Sequence, residues 1–498
     1  MTLPCNDPGD QSGPGHPSAS EVAGWLGGGP RHIHLIGLAG TGISALAMIL
    51  VELGHHVSGS DQRSAPVLDR LVEAGATAHV GHDPGHVEGA DLVICSTAIR
   101  ADHPERVAAA SAGLPVLTRA DALAGLTRLR PSIAVSGTHG KTTSTAMMAL
   151  ALRSAGARVS WLVGSTVPAL ETAASWGDGE WFVVEADESD DTHLALARAA
   201  VLLTNAEGEH LDFHGTLGRV IDGYVEFLEG AGATDPDETP SGGPARPVRV
   251  AGADDPGAAL VGRAVEGVVT FGTASDADWR LEVLGRSVTG TTSTLTSPSG
   301  EVIPLLVSVP GDHNATNAAG VVALAGELGF DPFRAAAGVA AFTGTGRRFE
   351  HRGVAKGVSF IDDYAHHPTE VAATLAAASG WEGGRVVAVF QPHLYSRTQR
   401  LADRFGAALA VADVVVVTDV YAAREDPIEG VDGTLISAAA RRHGAVDVVD
   451  APDRSTLAEV VAALIRPGDL VLTMGAGDIT TVAEELGAVL PGAVIETP

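Results

Sequence analysis

The sequence predicts an α/β protein of three domains: an N-terminal Rossmann-like sheet, a central phosphate-loop domain like that of P-loop ATPases with a small added β meander, and a C-terminal Rossmann-like sheet. Three observations predict it. At 498 residues the chain is too long for one core and suits about three folding units. Short apolar runs alternate with helical stretches along most of it, the pattern of largely parallel sheets. Two strand-to-helix junctions, at 37–42 and 137–140, are glycine-rich turns of the kind that bring backbone amides against phosphates.

Residues 1–29 are rich in Pro, Gly, Ser and Asp and are expected to form a disordered tail. A first domain over 30–128 opens with an apolar strand at 32–36. That strand runs into Gly37-Leu38-Ala39-Gly40-Thr41-Gly42 and a helix, and a second strand ends at Asp61. The glycines fall as G-x-x-G-x-G, not as the G-x-G-x-x-G of dinucleotide enzymes, which argues against a nicotinamide cofactor. Further strands are expected at 92–95 and 115–117. Ser96, Thr97 and Ala98 then lie at a strand's C-terminal end, where open α/β sheets bind ligands.

The central domain, 129–344, places the strand 133–135 before the phosphate loop and a helix after it. Strands follow at 159–163, at 181–184 ending in Glu185, and at 201–205. Residues 234–247 read as a surface insertion. Alternating Val, Thr and Ser between 267 and 309 predict the meander. The last domain, 345–498, has strands expected at 358–361, 386–390, 414–417 and 470–473, each followed by a polar loop and a helical stretch.

No long apolar run and no basic-plus-apolar leader occur, so a soluble, unexported, cytoplasmic protein without membrane insertion is expected. Two cysteines supply neither a disulfide framework nor a metal-binding spacing. A formal charge of −29 disfavours nucleic acid and anionic membranes as partners, since both call for a basic face. Small anionic ligands remain open to it, provided their charge is met locally.

The loop Gly137-Thr138-His139-Gly140-Lys141-Thr142-Thr143 meets that need. Its amides face phosphates, Lys141 reaches the outer oxygens, and Thr142 offers a hydroxyl to Mg²⁺. Lys141 and Lys356 are the only two lysines among 32 basic residues, so a retained lysine here points to a task that needs a compact charge. Glu185, the first polar residue after four apolar ones, suits a metal ligand beside the loop, and His210 could join it. Asp187, Glu188, Asp190 and Asp191 compete with Glu185, although most of that cluster reads as a solvated loop. In the third domain, His366 and His367 are neighbours that seldom reach one ion together. Arg397 could grip a carboxylate or phosphate, and Arg347-Arg348 reads as a phosphate clamp.

Taken together, GTHGKTT, EADESD, TNAEGEHLD, PGDHNATN, GTGRRFE, DDYAHHPTE, QPHLYSRT and GAGDIT resemble the Mur ligases, from His32 to the end of the last domain. The resemblance implies ATP-dependent joining of L-alanine to the lactyl carboxylate of UDP-N-acetylmuramate, with the three domains holding UDP-sugar, ATP and amino acid in turn. It implies ATP contacts from Lys141, from the rest of the loop, and from His313, Asn314, Asn317, Arg348 and Asp363. Two Mg²⁺ ions, for which Mn²⁺ could substitute, would be held by Thr142, Glu185 and His210. Gly37, Gly40, Thr41, Gly42, Asp61 and the Ser96, Thr97, Ala98 turn match the UDP side. Tyr364, His366, His393 and Arg397 match the surroundings of the alanine and the transferred phosphate, which puts His366 and Arg397 beside Lys141 in the catalytic set. A monomer or homodimer is expected.

Three departures stand out. The first loop reads GLAGTGISALA, Ala365 stands where glycine is common, and Glu207-Gly208-Glu209 replaces the residues usual before the histidine. Several relatives hold a metal with a carbamylated lysine, which the central domain cannot supply: no lysine lies between Lys141 and Lys356. The residues leave two other readings open: a ligase that joins a whole murein tripeptide to the same sugar nucleotide, and a UDP-sugar sensor that hydrolyses ATP without ligation.

Overall fold

The structure is a computed structural model and describes residues 16–96, 98–208, 214–232, 243–381, 383–423 and 425–489. The chain divides into two compact units. One comprises residues up to 282 with 294–305 and 316–342, and the other comprises 283–293, 306–315 and 343 onwards. Three sheets with helices between their strands bear out the α/β expectation.

The first unit begins earlier than composition indicates. Ala19–Gly27 is a helix, so the expected tail to residue 29 is wrong over its last part. Ser18 and Glu21 form a reciprocal capping box, and Val22 and Leu26 are buried. The S-x-x-E signal and an apolar pair four residues apart were hidden among the glycines. Val22 packs on Gly125 of the helix Arg119–Leu126, where there is no room for even a methyl group.

Five parallel strands make the first sheet: β1 (His32–Ile36), β2 (His56–Asp61), β3 (Thr77–Val80), β4 (Leu92–Cys95) and β5 (Val116–Thr118). Their order is β3-β2-β1-β4-β5. The order therefore reverses at β1 and β4, and the crevice beyond their C-terminal ends is where such sheets receive ligands. The glycine loop follows β1 and Ser96 follows β4.

The second sheet contains β6 (Ser132–Ser136), β7 (Val159–Leu162), β8 (Ala174–Ser175), β9 (Trp181–Glu185), β10 (Ala200–Leu203), β11 (Val248–Gly252), β12 (Val268–Gly272), β13 (Trp279–Ser287), β14 (Gly290–Thr296) and β15 (Val302–Val307). Its order is β15-β14-β13-β12-β11-β10-β6-β9-β7-β8. All of β6 is buried, as a strand covered on both faces must be, which explains its unbroken apolar centre. The expected meander starts one strand late. Val268–Gly272 pairs parallel with β11 and belongs to the α/β sheet, leaving β13 to β15 as the addition.

In the second unit, β16 (Glu350–Ala355), β17 (Val358–Asp363), β18 (Val386–Phe390), β19 (Val414–Thr418), β20 (Val448–Ala451) and β21 (Leu470–Met474) run in the order β16-β17-β21-β18-β19-β20. The two edge strands escape a search for apolar runs: β16 is EHRGVA and β20 is half exposed. β16 pairs antiparallel with β17 through a turn at Lys356-Gly357, both at positive φ. Among the described residues, no helix is long and apolar enough to cross a membrane.

Candidate active site

The central loop is built where the sequence places it. β6 ends at Ser136, and the helix Lys141–Ser154 starts after Gly140, which sits at φ 82° and offers no side-chain cap to the first turn. Gly137 is at φ 137°, and a Cβ there would collide with the Thr204 hydroxyl and lie 3.0 Å from the backbone N and O of Asn205. At Gly140 a Cβ would lie 2.7 Å from the Asn317 amide, so Asn317 of the PGDHNATN motif stands against the loop. Gly137→Ala is expected to abolish measurable ATP binding, checked by titration calorimetry, because the new methyl group meets backbone that cannot move aside.

The TN of TNAEGEHLD braces this loop from the end of β10. Asn205 Oδ1 accepts from the His139 amide at 2.8 Å, and Asn205 Nδ2 and the Thr204 hydroxyl donate to the His139 carbonyl at 2.9 and 2.7 Å. Register explains why both flanking strands matter. β6 lies between β9 and β10, with Val135 opposite Glu185 and Ser136 opposite Leu203. Glu185 therefore emerges beside the loop, its carboxylate accepting from the Gly164 amide at 2.8 Å. His210 and Thr97 lie outside the described residues.

Lys141 is held by Glu188, a residue expected either to compete with Glu185 for the metal or to belong to a solvated loop. Its ammonium donates to both carboxylate oxygens of Glu188, at 2.7 and 2.9 Å, and to the Gly137 carbonyl at 2.9 Å. Glu188 is 3% exposed. Burial pushes its carboxyl up to about 7 against the pull of Lys141, while the carboxylates of Glu188, Asp187 and Glu185 hold the lysine well above its ordinary value in spite of burial. The pair is an ion pair: Lys141 stays charged. Composition alone made EADESD look like a wet loop, and no periodicity marked Glu188 as inward-facing.

In the N-terminal sheet, Asp61 ties down the glycine loop, accepting from the Ala39 amide at 2.9 Å and the Arg63 amide at 3.1 Å. Gly37 is at φ 86°, and Gly40 and Thr41 open the helix Thr41–Glu52. At Gly42 a Cβ would lie 2.7 Å from Arg119 Nε, which has no hydrogen-bond partner among the described residues. Arg119, missed from sequence, thus sets a guanidinium against the loop. Ser96 Oγ accepts from the Ala98 amide at 3.3 Å.

The second unit gathers its own set. Asp363 is buried, and its carboxylate accepts from the amides of Phe349 and Ala365 at 2.7 and 2.8 Å. Burial raises it to about 6, opposed by Arg348. The arginine pair divides. Arg347 is fixed to buried Asp362 at 3.2 Å and to the Gly475 carbonyl at 2.6 Å, whereas Arg348 pairs with Glu370 at 3.1 Å and stacks over Tyr364. Their carboxylate partners differ, yet both guanidiniums lie over the one Tyr364 ring, at 5.0 and 5.2 Å. His366 Nδ1 lies 2.9 Å from the Tyr364 carbonyl and 3.3 Å from Glu370, with its ring 6.1 Å from that of His393. Arg397 is buried in the first turn of the helix Tyr395–Leu409, just after Leu394 at φ 70°. At the start of the helix Asp312–Glu327, the Asn314 amide donates to the Pro310 carbonyl at 2.7 Å, and the His313 ring lies over Gly311.

The cradle that a Cβ would fill, the uncapped helix start and the partly exposed cation fit a nucleoside triphosphate, and Glu185 beside them fits its divalent metal. Loop, lysine and strand-end carboxylate together define an enzyme of the phosphate-loop, ATP-using class. Three family models match the chain: "Mur ligase family, catalytic domain" over 32–130, "Mur ligase middle domain" over 135–325 and "Mur ligase, glutamate ligase domain" over 347–477. The UDP-N-acetylmuramate–L-alanine ligase of Thermobifida fusca is 43% identical over 90% of this chain and 94% of its own, and that of Kineococcus radiotolerans 44% over 91% and 95%. Among solved structures, the UDP-N-acetylmuramate-alanine ligase of Thermotoga maritima matches with a TM-score of 0.76 at 27% identity, covering 92% of this chain and 99% of that one. A murein peptide ligase of Psychrobacter arcticus shares the fold, with a TM-score of 0.65 at 23% identity over 93% and 99% of the two chains. The chain belongs to the Mur ligase family, whose members are ATP-dependent ligases.

Proposed function

We propose that this protein joins L-alanine to the lactyl carboxylate of UDP-N-acetylmuramate, giving UDP-N-acetylmuramoyl-L-alanine, ADP and phosphate in peptidoglycan precursor synthesis. The observation that carries this reading is the 43–44% identity, over nine-tenths of the chain, to relatives named for that reaction. Residues 30–128 hold the UDP-sugar, 129–344 the ATP and 345–498 the amino acid. The cytoplasm is the compartment, and the protein acts as a monomer or homodimer.

An amide forms from a carboxylate only after the carboxylate is activated. The γ-phosphoryl group of ATP passes to the lactyl carboxylate to give an acyl phosphate, the amine of L-alanine attacks its carbonyl carbon, and phosphate leaves. Lys141 offsets the charge of two anions brought together, and the glycines of its loop let backbone amides reach the phosphates. Glu188 keeps that ammonium aimed and charged until the nucleotide arrives. Arg119 and the loop at Gly37, Gly40, Thr41 and Gly42 receive the diphosphate of the sugar nucleotide, with Asp61 fixing the loop. Asn314, Asn317, His313, Arg348 and Asp363 serve the nucleotide. Tyr364, His393, Arg397 and His366 receive the amino acid, His366 orienting the amine through its tie to Glu370. Thr142, Glu185 and His210 would hold two Mg²⁺ ions, or Mn²⁺ in their place, which when bound neutralise phosphate charge.

The test offers L-Ala, Gly, L-Ser or the murein tripeptide separately to the protein with ATP, Mg²⁺ and UDP-N-acetylmuramate. L-Alanine is expected to give product with one ADP per amide. Product from the tripeptide alone would make the protein a murein-peptide ligase, and phosphate release independent of any acceptor would make it a sensor. With no second lysine in the central domain to carbamylate, turnover is expected to be unchanged by adding or removing bicarbonate, measured in degassed and supplemented buffer.

A further inference from the structure

One face of the N-terminal sheet is polar where hydrocarbon would be expected. Parallel register places His34 beside Ser58, and Ser60 beside His79, so these side chains share one face. Over that face lie the 3₁₀ turn Pro84–Val87 and the helix Pro104–Ser111. A small apolar cluster of Ile36, Val87, Val93, Cys95 and Ala109 fills part of the space beneath them. The rest holds Glu105, fully buried, with histidines around it. Burying an ionised carboxylate is costly unless cations or donors meet it.

Here the donors are in place and some are unused. One ring nitrogen each from His82 and His103 and one oxygen of Glu105 lie within 4.8 Å of one another. His82 Nδ1 is 3.6 Å from Glu105 Oε2, near the edge of about 3.3 Å that a tetrahedral ion with bonds of about 2.0–2.1 Å requires. His103 meets His82 edge-on at 4.3 Å, and both of its ring nitrogens are buried with no hydrogen-bond partner among the described residues. Independently, His34, fully buried, turns an unpartnered Nε2 to the same Glu105 oxygen at 3.6 Å, too long for a hydrogen bond.

The outer partners that orient metal ligands are present as well. Glu105 Oε1 is held by His86 Nδ1 at 2.7 Å and the Asp83 amide at 3.1 Å, and the Ser60 hydroxyl donates to Oε2 at 2.5 Å. The 3.0 Å contact of Ser60 with His82 Nδ1 is the one hydrogen bond among the described residues that an ion bound at that nitrogen would replace. We propose that His82, His103 and Glu105 form a binding site for a zinc-type divalent transition-metal ion, separate from the phosphate loop and its Mg²⁺ ligands. Two imidazoles and a carboxylate suit Zn²⁺, Co²⁺ or Ni²⁺ and not Mg²⁺, which prefers oxygen donors. Bound there, the ion would pin the helix Pro104–Ser111 to the segment after β3.

The probe is Co²⁺ alone, added to the metal-free full-length protein in the presence of millimolar Mg²⁺ and followed by its visible d–d absorption and by calorimetry. One equivalent is expected to bind with the intense bands of a four-coordinate site, to be displaced by Zn²⁺ and to resist Mg²⁺. His103→Asn, at a half-buried position, is expected to weaken it at least 100-fold with an unchanged circular dichroism spectrum. Glu185→Gln, in the other site, is expected to leave it intact. Binding that Mg²⁺ abolishes, that Glu185→Gln removes, or that survives His103→Asn would overturn the proposal, as would the absence of d–d bands in the wild type. None of these readouts depends on ligase activity, so the proposal and the proposed function fail separately.

Discussion

Lys141→Arg keeps the fold and lowers turnover by about 10³-fold, the scale of losing one preorganised charge in a transition state. The reason is shape. The Lys141 ammonium is a compact group that donates at once to Glu188 and to the Gly137 carbonyl within a loop whose glycines leave no spare volume. A planar guanidinium keeps the charge but places it farther out along a wider fork. Steady-state kinetics and circular dichroism together check this: substantial turnover in the variant would mean that charge alone suffices. The scarcity of lysine elsewhere in the chain accords with the first outcome, since arginine has been accepted at nearly every other cationic position.

Glu188→Ala is expected to destabilise the first unit by about 2–3 kcal/mol, because it leaves a largely buried ammonium, its side chain 14% exposed, without its counter-ion. Trp161, Trp176 and Trp181 lie in or beside the second sheet and report its unfolding by fluorescence in a denaturant titration. Glu188→Gln retains a hydrogen-bond acceptor and is expected to lose less. In both variants, saturating ATP should restore part of the loss, since phosphates offer Lys141 another partner and ligand binding stabilises the state that binds it. A midpoint unaffected by Glu188→Ala would show that the ion pair contributes nothing to folding.

Burial decides how legible each part of the fold is in the sequence. The buried parallel strands were legible because a strand covered on both faces is a continuous apolar run. The loop at 137–143 was legible because glycine, lysine and hydroxyl are each demanded by one task. Edge strands β16 and β20 were not, since an edge needs little hydrocarbon, and the helix Ala19–Gly27 was obscured by the composition around it. Candidate site residues were legible as types but not in their local commitments. Arg347 and Arg348 look equivalent in sequence, yet one is tied to Asp362 and the other to Glu370. Glu188 and Arg119 were passed over because only the packing of two strand ends and a neighbouring helix turns them inward.

The proposed reaction requires the γ-phosphoryl group to move to the lactyl carboxylate before the amide forms. UDP-N-acetylmuramate carrying ¹⁸O in that carboxylate, incubated with the protein, ATP, Mg²⁺ and L-alanine, tests it directly by mass spectrometry of the released phosphate. One ¹⁸O atom per phosphate is the predicted result, because the carboxylate oxygen that accepts the phosphoryl group leaves with it. Unlabelled phosphate, released while the amide still forms, would rule out the acyl phosphate.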